Sequence, residues 1–120
     1  MSVKHAEDVT ASDVASAQAT TIQVLISSNE GPNFAMRRFV MQPGGGMPRH
    51  TNLVEHEQYV LNGQALITIG GETFSVKRGD VILIPALIPH SYLNNGKGTF
   101  EFLCMVPNKP DEIRLMDEEC

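Results

Sequence analysis

The sequence predicts an all-β fold, a barrel or two-sheet sandwich, and three observations point that way. From Ile22 onward short apolar runs are separated by turn residues at even spacing, glycine-containing dipeptides punctuate those runs, and helical apolar periodicity does not organise the chain. With 120 residues there is room for one domain, which at this size buries well over half of its unfolded surface.

Taken in order, residues 1–20 are rich in Ala, Ser, Thr and Asp with little apolar periodicity and are expected to form an N-terminal arm. A frayed segment, a short helix and an edge strand all remain open for it. The barrel is expected over residues 21–107, with strands IQVLIS (22–27), FAMRRFVMQ (34–42), EQYVLNG (57–63), QALITIG (64–70), ETFSVKR (72–78), DVILIP (80–85), HSYLNN (90–95) and TFEFLCMV (99–106). Gly70-Gly71 and Asn95-Gly96 each stand where a two-residue primed turn needs positive φ. Asn62-Gly63, Arg78-Gly79-Asp80 and the run Pro43-Gly44-Gly45-Gly46 mark further corners, and Pro107 and Pro110 close the sheet before an acidic tail, residues 108–120, for which a short terminal helix is open. No internal repeat is visible.

The net charge of −5 offers no basic face to neutralise phosphates, which argues against nucleic acid and against an anionic membrane surface. The partners expected are a small-molecule ligand and a second copy of the chain. A homodimer follows from sheet edges that need covering and from the apolar segment Ile22 to Ile26, available for exchange between barrels. Of two cysteines, Cys104 lies in an apolar strand and Cys120 at the end, so no disulfide framework can be read and a reducing compartment is expected. The polar, acidic start lacks a secretory n-region and h-region, and no segment reaches the ~18 apolar residues of a membrane helix. The expected location is cytoplasmic.

Three of the four histidines fall in or beside expected strand ends: His50 and His56 around one corner, and His90 further on, whereas His5 sits in the arm as a bystander. Even spacing puts residues of an extended strand on one face, so His50, Asn52 and, with a bulge, His56 can share an interior. Imidazole suits Zn, Cu, Fe and Ni. On spacing alone, a metal centre and three separate structural histidines both stand.

The stretch G-x5-H-x-N-x3-H-E-Q-Y-V-L-N-G, Gly44 to Gly63, resembles the first cupin motif, and Gly79-x5-Pro85-x4-His90-x3-Asn94 resembles the second; together they span roughly residues 34–106. The resemblance implies a double-stranded β-helix, or jelly-roll barrel. It also implies one divalent transition metal (Mn, Fe, Ni, Zn or Cu) held by His50, Asn52, His56 and His90. Three positions depart from the pattern. His56 takes the place of the usual glutamate, as in small cupins with an all-histidine site; Asn52 replaces the second histidine; and Leu87 replaces a glycine, a change of packing and turn. An asparagine offers a hard, neutral oxygen that binds borderline metals less well than imidazole does. With every donor neutral, the ion keeps its full double charge and draws anions and ionising waters. The activity implied is that of a metal-dependent enzyme, oxygenase-like or isomerase-like, acting on a small oxygen-bearing molecule; a non-catalytic binding or sensing module is the alternative.

Alternation extends the pocket. Gln58 and Val60 follow His56 inward, Tyr92 and Asn94 follow His90, and Glu57 faces out, which makes Gln58 and Tyr92 candidate substrate contacts. Phe100, Phe102 and Cys104 share the inner face of the last strand, with Phe102 and Cys104 on the pocket wall; Cys104 reads as an inert small hydrophobe or as a pocket thiol. Arg37 is expected inward beside Phe39 and Met41, where its guanidinium would bind a carboxylate or phosphate or form a rim ion pair. Met36, Met41, Met47 and Met105 read as gap-filling core. No inward acid or base is evident.

Overall fold

The structure, a computed structural model, describes residues 1–116; the last four residues, including Cys120 and the acidic end of the tail, lie outside the described residues. It is a jelly-roll barrel of strands β1 (Ala11–Asp13), β2 (Gln18–Ile26), β3 (Phe34–Thr51), β4 (His56–Asn62), β5 (Gln64–Ile69), β6 (Glu72–Lys77), β7 (Val81–Ile84), β8 (His90–Leu93), β9 (Phe100–Pro107) and β10 (Arg114–Leu115). All pairings are antiparallel within one curled sheet, in the order β6-β5-β8-β3-β9-β4-β7, with β2 and β10 also on β3 and β1 on β2. Among the described residues no helix is long and apolar enough to cross a membrane.

β3 is the spine. Its first part, residues 34–41, pairs with β9, and its last part, residues 46–50, pairs with β8. The change of neighbour falls on the Pro43–Gly46 run, where the backbones approach so closely that a Cβ on Gly46 would collide with the Tyr92 carbonyl oxygen. Further along β3, Met47 lies opposite Tyr92 and His50 opposite His90, so three steps on β3 match two on β8. That bulge at Pro48-Arg49 reverses the alternation and brings both Met47 and His50 inward.

The inward sets form one core. Phe39 stacks on Phe102 with ring centroids 5.0 Å apart, Tyr92 stacks on the same ring at 5.5 Å, and Met41, Val60, Ala65, Ile67 and Phe100 are fully buried at the closed end. Burying such side chains contributes about 1.5–3 kcal/mol each, the main force that curls the sheet. Met36 and Met105 are half-exposed on the outer face instead of filling the core, because they face each other across β3 and β9 on the side opposite Phe39 and Phe102.

Much of the arm and the described part of the tail are built onto the barrel. Strand β2 begins four residues before Ile22, and buried Gln23 holds the arm by donating from Nε2 to the carbonyls of Ala6 and Val9, each at 2.8 Å. The tail forms no helix over its described residues: Arg114 and Leu115 pair with Thr51 and His50 as β10. Gly70 takes φ +61°, as the first central position of a type II′ hairpin requires. Asn95-Gly96 makes no primed turn, since neither residue has positive φ; the longer connection is organised by Asn94. Leu87 keeps the left-handed conformation of the glycine it replaces, at φ +67°, so that its N–H reaches the Asn52 carbonyl at 2.8 Å.

Candidate metal centre

At the open end of the barrel, strands β3, β4 and β8 bring His50, His56, Gln58, His90 and Tyr92, with Asn52 just past the end of β3, around one chamber of about 60 Å³. The histidines meet by register. His50 and His90 are a cross-strand pair with ring centroids 4.2 Å apart, and His56 on β4 is 6.0 Å from His90. All three are buried.

The second ring nitrogen of each histidine settles what the first can do. The carbonyl of Pro48 lies 2.7 Å from His50 Nδ1 and that of Ile88 lies 2.9 Å from His90 Nδ1, in each case two residues upstream. A carbonyl only accepts, so each Nδ1 carries a proton, and in the neutral ring the lone pair is the one on Nε2. His56 is tethered more softly, with Nδ1 3.4 Å from Cys104 Sγ. Burial, then the charge of Arg37, then His90 push the His56 pKa down to about 4; burial, partly offset by the Ile88 carbonyl, does the same for His90. At neutral pH both are neutral imidazoles, the form in which histidine binds a metal.

Several buried polar atoms here have no hydrogen-bond partner: His56 Nε2, His90 Nε2, Asn52 Oδ1 and Gln58 Oε1. An unpaired buried polar group costs about 1–3 kcal/mol, so such a concentration is what a site for a ligand that completes those bonds looks like. Among the described residues no group of three His, Cys, Asp or Glu side chains stands as a formed metal cage. The donor set nevertheless fits a borderline divalent ion: imidazole nitrogens with lone pairs, and one amide oxygen beside them.

Of the residues expected in the pocket, Arg37, Gln58, Tyr92 and Phe102 line the chamber. Cys104 does not; it lies behind His56, in reach of Arg37 Nη2 at 3.2 Å and Gln58 Nε2 at 3.6 Å. Burial pushes the Tyr92 phenol well up, so it stays protonated, and Gln58 Nε2 donates to its oxygen at 2.7 Å. No sequence signal pointed to Asp111, the one carboxylate among the described residues that lines the chamber. Its oxygens accept from Asn52 Nδ2 at 3.1 Å and from the Leu53 N–H at 2.7 Å. Val14 and Ser16 of the arm and Ile113 of the tail complete the wall. The prolines around residues 107–110 signalled only that the sheet ends, and nothing local signals that the chain then folds back over the barrel mouth.

Comparison with known proteins agrees with the barrel fold. The family model described as "Cupin domain" matches residues 37–106. The chain is similar to the polyketide cyclase RemF from Streptomyces resistomycificus, at 32% identity, TM-score 0.88, and coverage of 99% of this chain and 89% of that one. It is similar also to Rru_A2000 from Rhodospirillum rubrum, described as a cupin-2 domain, at 26% identity, TM-score 0.83, and coverage of 98% and 81%. The uncharacterized protein MJ1618 of Methanocaldococcus jannaschii shares 42% identity over 50 residues; the match spans 42% of this chain and only 40% of that curated relative.

Proposed function

The chain belongs to the cupin domain family, and from that premise we propose that it is a metal-dependent enzyme that rearranges a small oxygen-bearing substrate without net oxidation, in an isomerase-like or cyclase-like reaction. The observation that carries this reading is the convergence of three buried imidazoles on one chamber, two of them, His56 and His90, held neutral with unpartnered Nε2 atoms. The similarity to RemF over nearly the whole chain supports a redox-neutral reaction in preference to an oxygenase-like one.

His50, His56 and His90 would hold one divalent transition ion, with the Asn52 oxygen as a weaker fourth donor. When bound, it supplies Lewis-acid polarisation of a substrate carbonyl or enolate oxygen. The remaining work falls to the chain. Tyr92, protonated and accepting from Gln58, has its own O–H available for a developing oxyanion. Asp111 is the group placed to take or return a proton at its carboxylate oxygens. Val14, Phe39, Met47, Phe102 and Ile113 keep bulk water from the chamber. The assembly we propose is a homodimer, supported by the exposure of Tyr59, Val81 and Leu83 together on the outer face of β4 and β7; light scattering that finds a monomer at micromolar concentration would remove it.

The test has two stages. Chelator-treated protein titrated with zinc, nickel or cobalt should take up one ion per chain, and His90→Ala should abolish retention while leaving the barrel folded. The loaded protein should then exchange the α-hydrogens of acetoacetate for deuterium with no oxygen uptake. Unchanged metal content in His90→Ala would show that imidazole to be structural; oxygen consumption coupled to turnover would replace the redox-neutral reading with the oxygenase-like one.

A further inference from the structure

Arg37 and Arg38 are neighbours on β3 with opposite fates. Arg38 faces outward and is ion-paired twice, to Glu101 and, at 3.2 Å, to Glu7. Arg37 faces inward, and among the described residues no carboxylate comes within ion-pair distance of it. Its one side-chain hydrogen bond goes from Nη2 to the sulfur of Cys104, a weak acceptor, and its Nε is buried without a partner. The guanidinium carbon sits 5.3 Å from the centre of the Phe39 ring, which supports the cation from one side and leaves its charge unneutralised. A half-buried cation with one thiol for company is a costly arrangement in a chain of net charge −5, where carboxylates are plentiful.

Arg37 lines the inner chamber beside His56 and also lines an outer cleft of about 460 Å³ between Val24, Ala35 and the Pro107–Asp111 segment. Arg37 and Asp111 are the residues common to both spaces.

We infer that Arg37 is the anchor for an anionic group of the substrate, so that the enzyme acts on a small carboxylic acid whose carboxylate rests on Arg37 while its carbonyl or enol oxygen faces His50, His56 and His90. This rests on the metal-dependent function proposed above and narrows it to one substrate class. An Arg–carboxylate contact is bidentate and directional, which would fix the reacting carbons relative to Tyr92 and Asp111. The chamber volume limits the reacting end to a few atoms, and any longer remainder lies in the outer cleft.

Calorimetric titration with acetoacetate and its neutral counterpart acetoacetamide, in metal-free and zinc-loaded protein, tests the inference. Wild type should bind the anion in preference to the amide. Arg37→Gln should weaken acetoacetate binding about tenfold to a hundredfold, the scale of a charge-assisted hydrogen bond, with acetoacetamide unaffected. Arg37→Lys should lie between, and Arg38→Gln, on the outer face, should match wild type. Zinc stoichiometry should stay at one in Arg37→Gln, and a retained urea transition would show that the variant folds. Equal binding of anion and amide, or of wild type and Arg37→Gln, overturns the anion anchor even where zinc binds as proposed. Arg37-dependent binding in a protein that retains no zinc leaves the anchor standing and removes the metal centre instead.

Discussion

Two buried asparagines mark the two ends of the barrel and show how differently they are built. Asn94, at the closed end, donates from Nδ2 to the carbonyls of Met41 and Gly98, both at 2.9 Å, and accepts from the Gly96 N–H, also at 2.9 Å. Asn52, at the open end, donates once, to Asp111, and its buried Oδ1 has no partner. One uses its hydrogen-bonding groups to shape a turn; the other keeps one in reserve. The same contrast separates the fully buried Phe100 and Ile67 below from the unpartnered atoms of His56, Gln58 and His90 above. An interior with few unsatisfied groups at one end and several at the other has its stability concentrated in the first and its chemistry in the second.

The comparison predicts unequal costs. Asn94→Ala strands the buried Met41 carbonyl and frees the turn at Gly96 and Gly98, and should lower unfolding stability by about 2–3 kcal/mol, whereas Asn52→Ala should cost less than about 1 kcal/mol. Urea titration of both variants decides it; equal losses would mean that Asn52 is structural as well.

Acid should act through the open end. His56 and His90 are held at about 4 in the fold against 6.5 for a free imidazole. Between those values the unfolded chain binds more protons than the native one, so stability is fully present above pH 6.5 and declines as pH falls towards 4. Each of the two histidines should take about 2 kcal/mol from the stability of metal-free protein between pH 7.5 and pH 5, and a variant with both changed to Leu should lose most of that dependence.

Asn52→His should convert the spare oxygen into a fourth imidazole, since the side chain already lies beside the chamber. Zinc or nickel affinity, measured by chelator competition, should rise about tenfold, on the scale by which ligand surroundings alter metal binding. Turnover should fall, because a filled position excludes substrate. Unchanged affinity would place Asn52 outside the centre.

The smallest effect belongs to Leu87, whose φ of +67° is a conformation suited to glycine. Leu87→Gly should raise stability by about 0.5–1 kcal/mol, the relief of strain reduced by the greater freedom of the unfolded chain. A loss of stability would show that the leucine side chain contributes packing that outweighs its strained backbone.

Much of this was legible in the chain because it is local. Alternation along Phe100, Phe102 and Cys104, the hairpin glycine at position 70 and the spacing of His50, His56 and His90 are properties of a few consecutive residues, and they determined an all-β barrel with a histidine-lined interior. What tertiary structure alone decided is register and closure. His50 faces His90 because a bulge at Pro48-Arg49 shifts β3 by one residue against β8, and a bulge is settled by the fit of two strands distant in sequence. Asp111 reaches Asn52 because β10 docks on β3, a long-range pairing with no local signal. Among the described residues Arg37 has no counter-ion and Arg38 has two because inward and outward sides of one strand meet different neighbours once the sheet curls. Adjacent residues of one type in one strand therefore diverge through contacts that exist only after the barrel closes.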